Sequence, residues 1–250
     1  MSAENDPTQR FNEDVTARGE DKNLQLERLV FFSDAVVAIA ITLLALDIKI
    51  EPTPSGHLSF SDILGEWKVF AAFVLSFINI ANFWKTHHTF FAHIKKINDR
   101  LLWYNILWLF FIVTLPFSTS LVSSYFFDTP AIFLYSLNIL FIALFQNFIW
   151  DYASDTNWFS KESPNRYEFL KQDTVSDLMI SQYRLFCNLD MINALLAVVL
   201  SFLSPAVAFI SLFTKLPLII IARMVYRTSD QRFGTERPGA TNQGPRGRRN

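Results

Sequence analysis

The sequence predicts an all-α integral membrane protein with six transmembrane helices per subunit. Three observations predict it. Apolar runs recur along the chain, each close to the roughly 20 residues that a bilayer-crossing helix needs. Charged residues make up only 18% of the 250, against about 25% in an average soluble chain. The Lys and Arg residues between the runs fall on alternate sides, as the positive-inside rule requires.

Residues 1–27 come first. Seven acids against three bases, with few large apolar side chains, read as an acidic, disordered cytoplasmic tail. No basic stretch leads into a cleavable apolar core, so a signal peptide is not expected. The spans follow at about 29–48, 69–90, 101–124, 131–150, 185–204 and 206–226. The second is the most polar, because Asn79, Asn82, Lys85, His87 and His88 crowd its end. Pro116 and Pro217 are expected to kink their spans. The stretch 151–184 is too polar to cross and is expected to hold a short cytoplasmic helix. Residues 228–250 carry five Arg among Gly, Pro and polar residues and read as a second disordered tail. The membrane domain is therefore expected at 28–227. Six such runs leave too little polar surface to cover a water-soluble bundle.

The loops fix a direction. Segments 51–65, 124–130 and 203–206 contain no Lys or Arg. Segment 91–100 holds Lys95, Lys96 and Arg100, and 151–184 holds Lys161, Arg166, Lys171 and Arg184. With six spans, both termini are expected in the cytoplasm. Trp67, Trp103, Trp150 and Tyr226 lie near the expected interfaces, where amphipathic rings settle.

Several function classes drop out. One Cys excludes a disulfide scaffold and a cysteine-based zinc cluster. A formal net charge of −1 argues against a nucleic-acid partner. All seven glycines lie outside the spans. That removes a GxxxG packing motif, a carbonyl filter of the TVGYG kind and a phosphate-cradling GxxxxGK[ST] loop. An ATP-driven pump is not expected. His87 and His88 are adjacent, with His93 further on, and lack the i,i+4 spacing of a metal-binding helix. No metal and no cofactor are expected.

The first span carries the chemistry. An Asp inside a membrane helix is costly and marks a functional site by default, and Asp34 stands near the start of this one, beside Ser33. Asn79, Asn82, His87, His88 and Asn105 are candidate partners from other spans. With Asp34 set at 0° and about 100° per residue, Ile39, Leu43 and Leu46 share a stripe between about 120° and 180°. Thr42 lies at its edge. Arg28 and Phe32 fall on the same side. The stripe rises about 10 Å along the helix. It either faces lipid and neighbouring helices or faces a symmetry axis and constricts a pore, since hydrophobic constrictions can gate channels. Wheel geometry alone leaves both open.

Arg28-x-x-x-Phe32-Ser33-Asp34, opening a first membrane helix and continuing into an AIAITLL run, resembles the prokaryotic branch of the transmembrane-protein-175 family of potassium channels. The resemblance implies a homotetramer in the bilayer, with four first helices around a four-fold pore axis. It implies a constriction of aliphatic side chains at Ile39, Leu43 and Leu46 instead of a carbonyl filter. It gives Arg28, Ser33 and Asp34 the role of fixing the first helix to the second and third by hydrogen bonds, with Phe32 in the motif and Trp84-x-x-His87 resembling the family's polar partner region; Asn105 is a further candidate partner, read from the third span itself. Ala38 stands where some animal members carry a hydroxyl, while Thr42 keeps the other. The expected function is a passive potassium-permeable cation channel with modest preference over sodium, possible proton passage, and the plasma membrane of a prokaryote as its location. Asp47 and Glu51 are candidate outer-mouth acids that concentrate cations.

Two other classes stand against this reading. A proton-coupled transporter would use Asp34 and Asp190 as carriers. An intramembrane enzyme would use Asp34 and His87 as acid and base. Asp190 in the fifth span and Lys215 in the sixth are costly in lipid and have no assigned role.

Overall fold

A computed structural model of the chain describes residues 7–46, 48–49, 57–154, 169–171 and 174–214, with side chains from residue 24 onward. Seven helices follow one another within these residues. They are α1 (Pro7–Leu46), α2 (Phe60–Gly65), α3 (Trp67–His93), α4 (Asp99–Ser124), α5 (Thr129–Ser154), α6 (Asp177–Leu203) and α7 (Pro205–Thr214). Five contain an apolar stretch long enough to cross a membrane: Leu24–Leu46 within α1, then α3, α4, α5 and α6. The sixth expected span begins as α7. Its remainder, with Lys215, Pro217, Arg223 and Arg227, lies outside the described residues, as does the expected tail at 228–250.

The helices form because their sequences supply long apolar runs and, at several ends, a cap. Asn98 caps α4, its side-chain oxygen accepting from Leu101 N at 3.0 Å while its amide donates to Tyr152 Oη at 2.6 Å. Ser176 caps α6, accepting from Met179 N at 3.2 Å. Such caps satisfy donors that a helix start otherwise leaves bare. Ser59 and Asp62 build a reciprocal capping box on α2, and the two hydrogen bonds from Ser59 hold the Asp62 carboxyl below its ordinary value.

Two boundaries differ from the sequence expectation. Helix α6 starts at Asp177, ahead of the apolar run at 185, because Ser176 and Asp177 begin it in polar sequence. The short cytoplasmic helix expected in 151–184 is not seen among its described residues, and 155–168 lie outside them. Helix α1 starts at Pro7, so its backbone passes through most of the stretch expected as a disordered tail. Extending an existing helix costs far less than starting one, and Pro is suited to the first helical position.

Burial ranks the helices. In α5, 56% of the apolar stretch is buried, and in α1 only 28%. Helix α5 is the centre, packed broadly on α4 and α6, while α1 leans on α3 and α4 from outside. At the end of the bundle where Lys95, Lys96 and Arg100 lie, the chain after α5 returns to α3. Ile94 and Leu170 form an antiparallel bridge, with Lys95 N donating to Phe169 O at 2.8 Å and Lys171 N to His93 O at 2.9 Å.

Candidate functional site: the two faces of the first helix

Helix α1 buries one stripe. Leu29, Ser33, Val37, Ala40 and Leu44 are each less than 9% exposed and repeat every three or four residues, the spacing of a single helix face. The Ile39–Leu43–Leu46 stripe lies on the other side. Ile39 is 59% exposed, Leu43 39% and Leu46 71%. Phe32 and Arg28 are exposed with them. Thr42 is exposed too, and its hydroxyl donates to its own helix at Ile39 O, 2.8 Å away. The subunit therefore leaves the aliphatic stripe uncovered and turns the opposite face inward.

The buried face is tied by a directed chain of hydrogen bonds. His87 Nε2 meets Asn105 Oδ1 at 2.6 Å, Asn105 Nδ2 donates to Ser33 Oγ at 2.9 Å, and Ser33 Oγ donates to Leu29 O at 2.8 Å. An amide oxygen only accepts, so Nε2 carries the ring proton. The chain then runs one way, from α3 through α4 into α1. His87 is held flat against Trp108, ring centroids 4.2 Å apart, and tilted against Phe91 at 4.5 Å. Ser33, His87 and Asn105 are all buried. Next to Ser33, Asp34 accepts from Trp84 Nε1 at 2.8 Å. Trp84 and His87 are three residues apart on α3 and so share a face. Two adjacent residues of α1 are thereby fixed to two different helices.

Of the residues expected in this network, the structure brings Ser33, Asp34, Trp84, His87 and Asn105 together. Arg28 is not brought in: among the described residues no side chain bonds it. The physical reason is angular. Arg28 and Ser33 are five residues apart, about 140° around the helix, so both cannot enter the packed face. Asn79, a candidate partner of Asp34, instead donates to Tyr135 Oη at 3.2 Å on α5. His88 stacks obliquely on Trp84, 5.5 Å between ring centroids. Asp47 and Glu51 lie outside the described residues. Asp190 is 6% exposed on α6. Among the described residues no cluster of three or more His, Cys, Asp or Glu side chains is placed to hold a metal.

A second polar cluster was not anticipated from the sequence. Thr119 Oγ1 donates to Ser76 Oγ at 2.7 Å, and Ser76 Oγ lies 3.0 Å from Tyr135 Oη. Beside it, Pro116 lies inside α4. Oriented to satisfy its neighbours, the Asn138 amide of α5 donates to Phe111 O at 3.1 Å and accepts from Leu115 N at 3.2 Å. Those two backbone groups are the pair that an unbroken helix ladder joins. Asn138 thus ties α5 to the α4 backbone in the turn before Pro116. The only sequence signal was a Pro two residues from Thr114 and Ser118 in an apolar run.

A bundle of apolar helices with buried polar ties, whose first helix packs by one face only, is the architecture of a helical integral membrane protein. Residues 28–116 match the sequence model of one family, described as the endosomal/lysosomal potassium channel TMEM175. The matched stretch contains α3, most of the α1 span and most of α4, and so every residue of the tied network. A potassium channel of Streptomyces collinus is 34% identical over 134 residues, 52% of this chain and 65% of that one. The endosomal/lysosomal proton channel TMEM175 of Gallus gallus is 33% identical over 142 residues, 52% of this chain and 28% of that one. The chain thus spans less than two thirds of these relatives' lengths. The solved structure of a lysosomal potassium-selective channel TMEM175 homolog from Chamaesiphon minutus superposes with a TM-score of 0.61 at 28% identity, covering 80% of this chain and 97% of that one.

Proposed function

We propose that this chain forms a passive, potassium-permeable cation channel, assembled as a homotetramer in the plasma membrane of a prokaryote with both termini in the cytoplasm. The observation that carries it is the bare stripe of α1. Ile39, Leu43 and Leu46 are exposed in the subunit while the opposite face is anchored through Ser33 and Asp34. A helix fixed in rotation by its back presents its front reproducibly. Around a four-fold axis that front supplies three successive aliphatic rings. An ion passing them sheds part of its water, which costs more for sodium than for the larger, less tightly hydrated potassium. Thr42 sits at the edge of the same face. The channel unit is assigned to residues 28–227, needs no cofactor, and carries Asp47 and Glu51 at its outer mouth. The relatives named as potassium channels and as proton channels support cation passage, with protons as a second permeant species.

The acid–base pair of an enzyme reading is not assembled, since His87 bonds Asn105 and Asp34 bonds Trp84. The deciding experiment records purified protein in planar bilayers under potassium and sodium gradients. Wild type is expected to pass potassium down its gradient. Ile39→Ala and Leu43→Ala are expected to raise conductance and reduce the preference for potassium. Unchanged conductance and preference in both variants would remove the constriction. Wild-type potassium flux that occurs only alongside a proton gradient and is lost on Asp190→Asn would favour the transporter instead.

A further inference from the structure

A groove of about 430 Å³ opens between the start of the α1 span, the end of α3 and the returning chain at 169–171. Its wall is apolar, from Val30, Phe31 and Phe91, and its mouth carries Lys95, Lys171 and Glu27. The two lysines do not hang from free loops. Lys95 N and Lys171 N are each bonded across the Ile94–Leu170 bridge, and Lys171 Nζ donates to Ala92 O at 3.0 Å. An ammonium has three hydrogens, so Lys171 keeps two for a ligand. The mouth is net positive by one charge.

We propose that this groove binds one anionic phospholipid per subunit, with its phosphodiester on Lys95 and Lys171 and an acyl chain along Val30, Phe31 and Phe91. Three observations select this occupant. The groove lies at the end of the bundle where the bases cluster, the side that faces an anionic leaflet under the positive-inside rule. Basic pockets between membrane helices on that side suit lipid head groups. The apolar wall continues from the mouth onto the exposed ring of Phe31, 72% accessible, which a free phosphate would not use and an acyl chain would. Glu27 at the rim disfavours a doubly charged anion in isolation and leaves a single phosphodiester charge balanced. The groove borders the flank of α1, away from the Ile39–Leu43–Leu46 stripe, so a bound lipid would brace the first helix from the side. The inference needs only that the bundle sits in a membrane and is independent of what it conducts.

The test uses the full-length protein incubated with phosphatidylcholine vesicles containing or lacking phosphatidylglycerol, extracted in mild detergent and weighed by native mass spectrometry. Wild type is expected to retain one phosphatidylglycerol per chain. Each of Lys95→Gln and Lys171→Gln is expected to weaken retention about fivefold, while Lys68→Gln, at the opposite end, leaves it unchanged. Val30→Trp fills the apolar wall without touching the charges and is expected to abolish retention, so the proposal survives a lysine variant that fails to fold. Soluble glycerol phosphate is expected not to compete. Equal retention of phosphatidylcholine, full competition by glycerol phosphate, or wild-type retention by the variants would each overturn the proposal.

Discussion

Asn105 uses both ends of its amide, donating to Ser33 and accepting from His87, and it does so at a buried position. Asn105→Leu removes both bonds and leaves the His87 N–H facing an apolar side chain. The loss is expected to be about 1–2 kcal/mol, between the larger cost of a stranded buried donor and the modest average of interhelical bonds in membranes. Unfolding in mixed micelles with added dodecyl sulfate would measure it. Ser123→Ala, which removes only a bond to its own helix at Ser120 O, is expected to cost under about 0.5 kcal/mol. A similar loss in both variants would show that the tie contributes nothing beyond local packing. The members of this tie were legible in the sequence because polar side chains in apolar spans are costly and must be partnered. Their pairing was not. It depends on which faces of α3 and α4 turn towards α1, and that is set by packing far from the motif. Arg28 shows the limit most clearly. The motif groups it with Ser33 and Asp34, and the helical turn separates it from them.

At the scale of elements, the spans were legible where the apolar runs define them, as in α4 and α5, whose described ends lie within a few residues of the run. They were not where polar sequence continues the helix. The start of α6 is set by the Ser176 cap, and the Ile94–Leu170 bridge joins two segments too short and too distant to carry a strand pattern. The missing backbone donor at Pro116 was legible, but the tie from Asn138 on another helix to the turn before it was not. That tie makes a prediction. With Pro116 in place, Asn138→Leu removes the side-chain bonds to the Leu115 amide and the Phe111 carbonyl and is expected to cost about 1–3 kcal/mol. Pro116→Ala restores a donor for Ile112 O and lets this turn of α4 tighten, so the same change is expected to cost less in that background. A coupling of at least about 0.5 kcal/mol in the double-mutant cycle, read from the same unfolding assay, is the expected result. Strict additivity would mean that Asn138 does not act through this turn.

For the whole molecule, the question is what meets the uncovered face of α1. Hydrophobicity does not answer it, because lipid tails cover Ile39, Leu43 and Leu46 as well as another protein would. Helix α6 presents a comparable surface, with Ile192, Leu195 and Val199 exposed, so exposure alone cannot tell a pore face from a lipid face. Symmetry can. A residue beside a rotation axis lies close to its own copies, whereas a residue on the outer rim of a closed ring is far from them. The proposed assembly therefore predicts that Leu46→Cys, with the buried native thiol removed as Cys187→Ala, cross-links to itself under mild oxidation in native membranes. Ile192→Cys in the same background is expected to stay monomeric on denaturing gels. Under non-denaturing conditions both are expected to run as particles of four 28.9 kDa chains. Cross-linking through Ile192 but not Leu46 would turn the subunit around and place the axis at α6. A tetramer with neither cross-link would leave the Ile39–Leu43–Leu46 stripe to the lipid and end the case for it as the constriction.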